Sequence, residues 1–388
     1  MKTFSWPLFT KTEAELVSKV LLSNDVNYLF GKKGKEFEKN FSNYVGTKYA
    51  LALANGTLAL DLALRALDIK NGDEVLVTSR SFIASASAIS ILGGKPVFVD
   101  VDLNTQNISP EQIIQNITSK TKGIVCVHFA GMPCEMNQIL KIAKAHKLWI
   151  LEDCAQAHGA KIGSKSVGSF GDIAAWSFCN DKIMTTGGEG GMITTNSDKI
   201  YRYCESFNNH GKNFKKYLAQ RKHLKFPYVH DSLGSNYRLT EMQSSIGIFQ
   251  LKKLNAWNKI RERNANILIQ SLKHFRILSF PKLSSRIRHG WYKLYFTLNQ
   301  DYSKILNPRA VIIEEINNSG IFCSFGGCGE IYNEEAFSYL ELSQKFKLPN
   351  ANFLENNSIM FEIHPTITSS EMRRRARLIA KILSKYSL

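Results

Sequence analysis

The chain is predicted to be an α/β protein in which a large domain, built on a mostly parallel sheet flanked by helices, is followed by a smaller α+β domain. Three observations carry this prediction. Between about residues 50 and 195, short apolar runs alternate with stretches whose apolar residues fall at helical spacing. A single long helical pattern follows, and beyond it strand-like and helical segments come singly. At roughly 100–200 residues per domain, 388 residues leave room for two or three units.

The elements follow in order. Residues 49–53, 74–78, 96–99, 123–127, 148–151, 173–177 and 191–194 read as strands, being short, apolar and bounded by turn-forming residues. Residues 56–67 and 137–146 lie between them as helices, each starting near a plausible cap or turn. Strands alternating with helices give parallel neighbours, and such a sheet is covered on both faces. Residues 240–275 keep Met242, Ile246, Leu251, Leu254, Trp257, Ile260, Ile267, Ile269 and Leu272 at helical spacing among many charges, as a helix linking two domains would. Residues 291–298 alternate like a half-buried strand, 309–318 read as a helix and 369–386 as a basic terminal helix. There is no repeat and no linker rich in Pro and Gly. The expected division is an N-terminal segment with the large domain over 1–250, and a linking helix with the small domain over 251–388, closely packed.

Composition excludes several classes. With 44% hydrophobic and 21% charged residues the chain is not disordered. No apolar run reaches the roughly 18 residues of a membrane span, and the N-terminus lacks a signal-peptide pattern, so a cytoplasmic chain without membrane insertion is expected. Seven cysteines, without CxxC spacing and several inside apolar runs, read as reduced thiols. The formal net charge is +17, and residues 201–300 alone hold 19 basic against 4 acidic side chains, a net of +15. Such a segment either steers an anionic partner or is a solvated face.

Three stretches carry chemistry. In residues 176–191, Lys182 stands between an apolar strand and a glycine-rich turn. A lysine at a sheet edge is a Schiff-base nucleophile when partly buried, and otherwise a surface lysine beside a hairpin. In residues 148–159, an apolar strand ends in Glu152-Asp153, with Gln156 beyond. Carboxyl ends of strands are where α/β sheets bind ligands. Asp153 there suits a protonated pyridine nitrogen, and Gln156 a phenolic oxygen, the alternative being a solvated acid or helix cap. In residues 54–60, Asn55-Gly56-Thr57 bring a strand into the start of an apolar helix, where free N–H groups favour a phosphate. A GxGxxG fingerprint and a Walker A loop are absent, which argues against a dinucleotide oxidoreductase or a P-loop nucleotidase.

A lysine, a strand-end aspartate and a phosphate-cradling helix start together describe pyridoxal 5′-phosphate (PLP). On these motifs the chain resembles the fold-type I, PLP-dependent DegT/StrS-like aminotransferases of nucleotide-linked keto sugars, from about residue 27 to at least 247. The resemblance implies that Lys182 bonds the cofactor and then serves as the catalytic base, that Ser177, Gly56 and Thr57 hold its phosphate, and that Asp153 and Gln156 meet its ring nitrogen and oxygen. It further implies that Phe82 stacks on the ring and that Asn236 reaches the phosphate of the neighbouring subunit, making the active unit a homodimer with shared sites. L-Glutamate, leaving as 2-oxoglutarate, is the implied donor, and a nucleoside-diphosphate-linked keto sugar, 4-keto-6-deoxy in preference to 3-keto, the implied acceptor. The product would serve a surface polysaccharide such as O-antigen. Arg221, Lys222 and Lys225, in the basic segment before Asn236, are candidates for the diphosphate.

Residues 320–332 stand where many relatives carry a His-Tyr-containing, substrate-facing loop, so the sugar is not fixed by motif. A dehydratase branch of the family replaces the lysine by histidine; this chain keeps Lys182. A non-catalytic PLP-fold protein would show damage at Lys182 or Asp153, and a nucleic-acid binder would show a recognition motif beside the basic segment. Neither sign is present, and no metal is expected.

Overall fold

The computed structural model describes residues 5–220, 228–340 and 347–388. In chain order its strands are β1 (Tyr49–Leu53), β2 (Glu74–Thr78), β3 (Lys95–Val99), β4 (Thr121–Val127), β5 (Trp149–Asp153), β6 (Lys161–Ile162), β7 (Lys165–Ser166), β8 (Ile173–Ser177), β9 (Gly191–Thr195), β10 (Leu278–Ser279), β11 (Ile287–Arg288), β12 (Leu294–Leu298), β13 (Cys323–Ser324) and β14 (Ser358–Phe361). Seven form one sheet in the order β1-β9-β8-β5-β4-β2-β3, parallel throughout except for β9, which runs against both neighbours.

Side chains alternate across this sheet, as the period of two requires. Leu51, Leu53, Val75, Val77, Val127, Leu151 and Ala175 pack with the helices Gly56–Ala66 and Ala84–Ile91 on one face. Leu76, Ile124, Cys126 and Ile150 pack with the helix Met136–His146 on the other. Both faces are covered, and the strands are accordingly apolar on both sides. This parity puts Asp153 at the end of β5 and Ser177 at the end of β8 on the face that carries Gly56–Ala66.

The second sheet, β10-β12-β14-β13, is antiparallel and packs on the helices Pro308–Asn318 and Ser369–Tyr386. The helix Glu241–Leu272 joins the two regions, capped by Thr240, whose hydroxyl accepts from Gln243 N–H. It runs across the expected 250/251 division. Two N-terminal helices, Lys11–Leu22 and Lys33–Val45, lie against it; their mixed patterns leave them unassigned in the sequence. The strand expected over 291–298 begins only at Leu294, because residues 291–293 turn away from the sheet. All seven cysteines are free, and among the described residues no helix is long and apolar enough to cross a membrane.

The basic segment is not simply a solvated face. Arg261 is fully buried, its guanidinium 5.0 Å over the Trp6 ring and donating to the Trp291 and Tyr292 carbonyls. Burial drives its pKa down to about 9.

Candidate active site

One cleft of about 930 Å3 opens at the carboxyl ends of β4, β5 and β8, against the C-terminal region. Gly56, Thr57, Phe82, Asp153, Gln156, Ser177 and Lys182 all line it. The topology explains the meeting. Parallel β5 and β8 deliver Asp153 and Ser177 to the same edge, and the turn from β8 toward β9 brings Lys182 into the same lining. That turn needs glycine at Gly187 and Gly188, whose φ values are +94° and +119°.

The helix start is built for close approach. Asn55 caps it by accepting from Leu58 N–H at 2.9 Å. The N–H groups of Gly56 and Thr57, the first in the helix, have no intrahelical acceptor. A Cβ on Gly56 would stand 2.7 Å from Ser177 Cβ, so only glycine lets the helix end touch the serine. This pocket of N–H and hydroxyl donors is the chemistry of a phosphate site.

Asp153 is buried and receives Ser85 Oγ–H at 2.7 Å and Ala155 N–H at 3.1 Å; Ser81 Oγ in turn lies 2.8 Å from Ser85 Oγ. Since Ser85 gives its proton to Asp153, Ser81 donates to Ser85. The carboxylate keeps lone pairs for a further N–H. The Gln156 amide oxygen accepts from Ala130 N–H at 2.7 Å, which leaves its NH2 group to donate. Phe82, 67% exposed, presents an unpacked ring to the cleft.

Lys182 is partly buried in the cleft lining. Its Nζ is 4.0 Å from Asp181 Oδ1 and 5.1 Å from the centre of the Tyr292 ring, while its carbonyl accepts from Trp6 Nε1 at 2.8 Å. Tyr292 donates a short hydrogen bond to Asp181, so the residue beside the lysine is tied to the opposite wall. His158, buried beneath, is held down at about 3 by desolvation and the nearby Lys182 charge, and is therefore neutral at physiological pH.

The C-terminal wall supplies Tyr292, Lys293, Tyr295 and Glu362, which sequence patterns did not single out. Lys293 Nζ is 3.6 Å from Glu362, and burial lowers its pKa despite that neighbour. Tyr295 accepts from Gly327 N–H at 3.0 Å. Behind it Arg80, fully buried, stacks on the Phe129 and Tyr295 rings at 4.7 and 5.4 Å and donates to Gln106 and Ser358. The loop over residues 320–332 lines the cleft through Phe322, Gly326, Gly327 and Cys328.

Asn236 is exposed and lies outside this cleft. Arg221, Lys222 and Lys225 fall outside the described residues. Glu152, neighbour of Asp153 but on the other sheet face, belongs to a buried group with His128 and Cys154. Its carboxylate accepts N–H groups from Gly168, Phe170 and Gly171 and lies 3.0 Å from His128 Nε2, whose Nδ1 accepts from Cys134 N–H. These bonds, together with a Cys154 thiol whose pKa burial pushes up, make the group a structural hub joining three loops.

The donor set fits PLP: a lysine amine, a buried carboxylate, an amide donor, a free aromatic face and a helix start that a Cβ would block. Comparison with known proteins agrees. Residues 7–379 match the model of the DegT/DnrJ/EryC1/StrS aminotransferase family. An aminotransferase from Psychrobacter cryohalolentis of known structure is 45% identical, with a TM-score of 0.94 over 98% of both chains. The GDP-perosamine synthase of Escherichia coli O157:H7 is 41% identical over 68% of this chain and 71% of its own. The dTDP-3-amino-3,6-dideoxy-alpha-D-galactopyranose transaminase of Aneurinibacillus thermoaerophilus is 40% identical over 68% of this chain and 69% of its own.

Proposed function

The chain belongs to the DegT/DnrJ/EryC1/StrS aminotransferase family, PLP-dependent enzymes of fold type I that aminate nucleotide-linked sugars, and from that premise we propose that it converts a 4-keto-6-deoxy sugar on a nucleoside diphosphate to the 4-amino sugar, with L-glutamate as donor. The observation that carries the aminotransferase chemistry is the convergence of Lys182, Asp153, Gln156, Ser177 and the Gly56–Thr57 helix start in one cleft; the sugar and the donor are those that the family resemblance favours.

When bound, the cofactor supplies an electrophilic carbon and an electron sink. The residues do the rest. Gly56, Thr57 and Ser177 would hold the phosphate, and the exposed ring of Phe82 would pack on the pyridine ring and keep water from it. Asp153 holds a proton on the ring nitrogen, and Gln156 orients the ring oxygen. Lys182 would bond the cofactor, and its amine, when free, would take up the proton that leaves the donor's α-carbon and return one to the acceptor side; one base within reach of both carbons would suffice. Asp181, fixed by Tyr292, is the carboxylate beside that amine.

A second reading is amination at C3, supported by the likeness to a transaminase named for a 3-amino sugar. One experiment separates the two: wild type and Lys182→Ala are each incubated with L-glutamate and 4-keto or 3-keto nucleotide sugars, and the product is read by NMR. A Lys182-dependent 4-amino product supports the first reading, a 3-amino product the second, and no aminated product from either overturns both.

A further inference from the structure

We propose that Trp6 is a positioning residue for Lys182: one indole holds the backbone of the lysine and, through Arg261, the tyrosine that its amine faces. This rests on the reading above in which Lys182 is the lysine that bonds the cofactor.

The Lys182 backbone takes its support from outside its own turn. It lies between β8 and β9, in no helix or strand. A flexible stem carries its amine, so the placement of the peptide sets where that amine can reach. The Lys182 N–H is used within the turn, on the Cys179 carbonyl at 3.2 Å. Its carbonyl accepts from Trp6 Nε1–H at 2.8 Å, across 176 positions of sequence, and among the described residues no other group donates to it.

Trp6 can serve as an anchor because it is itself held. Its ring meets Trp257 of the linking helix edge-on, with centroids 5.0 Å apart, and stacks on His364 at 6.3 Å. Next to it the Ser5 carbonyl accepts from Thr366 Oγ1 at 3.1 Å. The segment before the helix Lys11–Leu22 is thus tied both to the linking helix and to the C-terminal region.

The same ring carries Arg261. That guanidinium is fully buried 5.0 Å over the indole, and its Nε and Nη2 have no hydrogen-bond partner. The ring face therefore supplies attraction that no hydrogen bond supplies there. Arg261 Nη1 donates to the Trp291 and Tyr292 carbonyls. Tyr292 in turn donates to Asp181, and its ring centre lies 5.1 Å from Lys182 Nζ. With its N–H Trp6 holds the backbone of the lysine, and with its ring face the backbone of the tyrosine. These are the two supports that place the amine against Tyr292.

The test separates the N–H from the ring. Trp6→Phe keeps an aromatic face over Arg261 and removes the donor. Replacing Trp6 by benzothienylalanine, with sulfur where the N–H stood, removes the donor at nearly constant shape. Melting temperatures are measured, the cofactor absorbance of each PLP-loaded protein is titrated with pH, and its conversion by L-glutamate and by α-deuterated L-glutamate is followed in a stopped-flow instrument. Each folded variant is expected to show a displaced titration midpoint, conversion slower by about five-fold or more, the worth of one hydrogen bond, and a larger deuterium effect, because a misplaced base slows the proton step. A purely structural Trp6 would lower the melting temperature alone, so a midpoint and a deuterium effect equal to wild type in both variants would overturn the proposal. The titration needs no donor and reads Lys182 whichever donor the enzyme uses. Borohydride reduction and peptide mapping of wild type check the premise separately: a cofactor fixed to a residue other than Lys182 would overturn the assignment of that lysine, and this proposal with it.

Discussion

At the scale of single residues, the site depends on how Asp153 is held as much as on its charge. Its oxygens receive Ser85 Oγ–H and Ala155 N–H, and Ser81 extends the chain to the cleft. Ser85→Ala removes a hydroxyl that touches only the carboxylate and its neighbouring serine, so the fold should persist. A hydrogen bond to a charged group contributes about 1.5–3 kcal/mol, and part of that is retained because Ala155 still donates. We expect turnover to fall about ten-fold, with Ser85→Thr restoring most of it. The discriminating readout is the absorbance of the bound cofactor as pH is varied: if Asp153 holds the ring proton as proposed, Ser85→Ala should move its titration. A profile identical to wild type would show that Ser85 only fills space.

Ordered elements bring distant segments together, and here the sequence is least informative. Strand ends were legible: β5 and β8 announce themselves as apolar runs, and the polar residues closing them, Asp153 and Ser177, stand where such sheets bind ligands. Tyr292 and Lys293 were not, because nothing in a local pattern says that a chain leaves its strand and turns its side chains across a cleft toward Asp181. Glu241 was equally hidden. At the first turn of its own helix it looks like an ordinary N-terminal acid, yet its side chain reaches back some two hundred residues to accept N–H groups of Lys33 and Gly34 at 2.5 and 2.7 Å, capping the helix Lys33–Val45. A Cβ on Gly31 would fall 2.1 Å from that carboxylate, so glycine is required for the approach. Glu241→Ala leaves one buried donor, Gly34 N–H, and one part-buried donor, Lys33 N–H, unpaired, at about 1–3 kcal/mol for the buried one and less for the other. We expect about 2–5 kcal/mol of lost stability in urea titrations and Glu241→Gln to recover about half; a loss under about 0.5 kcal/mol would show that water replaces the cap.

For the whole molecule, the question is whether one chain makes a complete site. Seven of the eight residues that the family resemblance assigns to the cofactor line this chain's cleft, and Asn236 does not. It is exposed, in a segment where Tyr228 and Leu233 are also left 83% and 96% exposed, a surface that association would cover. If Asn236 completes the neighbour's site, as the resemblance implies, two defective chains can repair each other. Lys182→Ala keeps Asn236 but lacks the base, and Asn236→Ala has the reverse defect. A two-fold pair of one of each then contains one site with both residues intact and one with neither. Random exchange makes about half of all pairs mixed, so about a quarter of wild-type sites should reappear when the two inactive proteins are unfolded and refolded together. Activity of the mixture no greater than the sum of the two separate variants would place Asn236 outside the partner's site and make the single chain the catalytic unit.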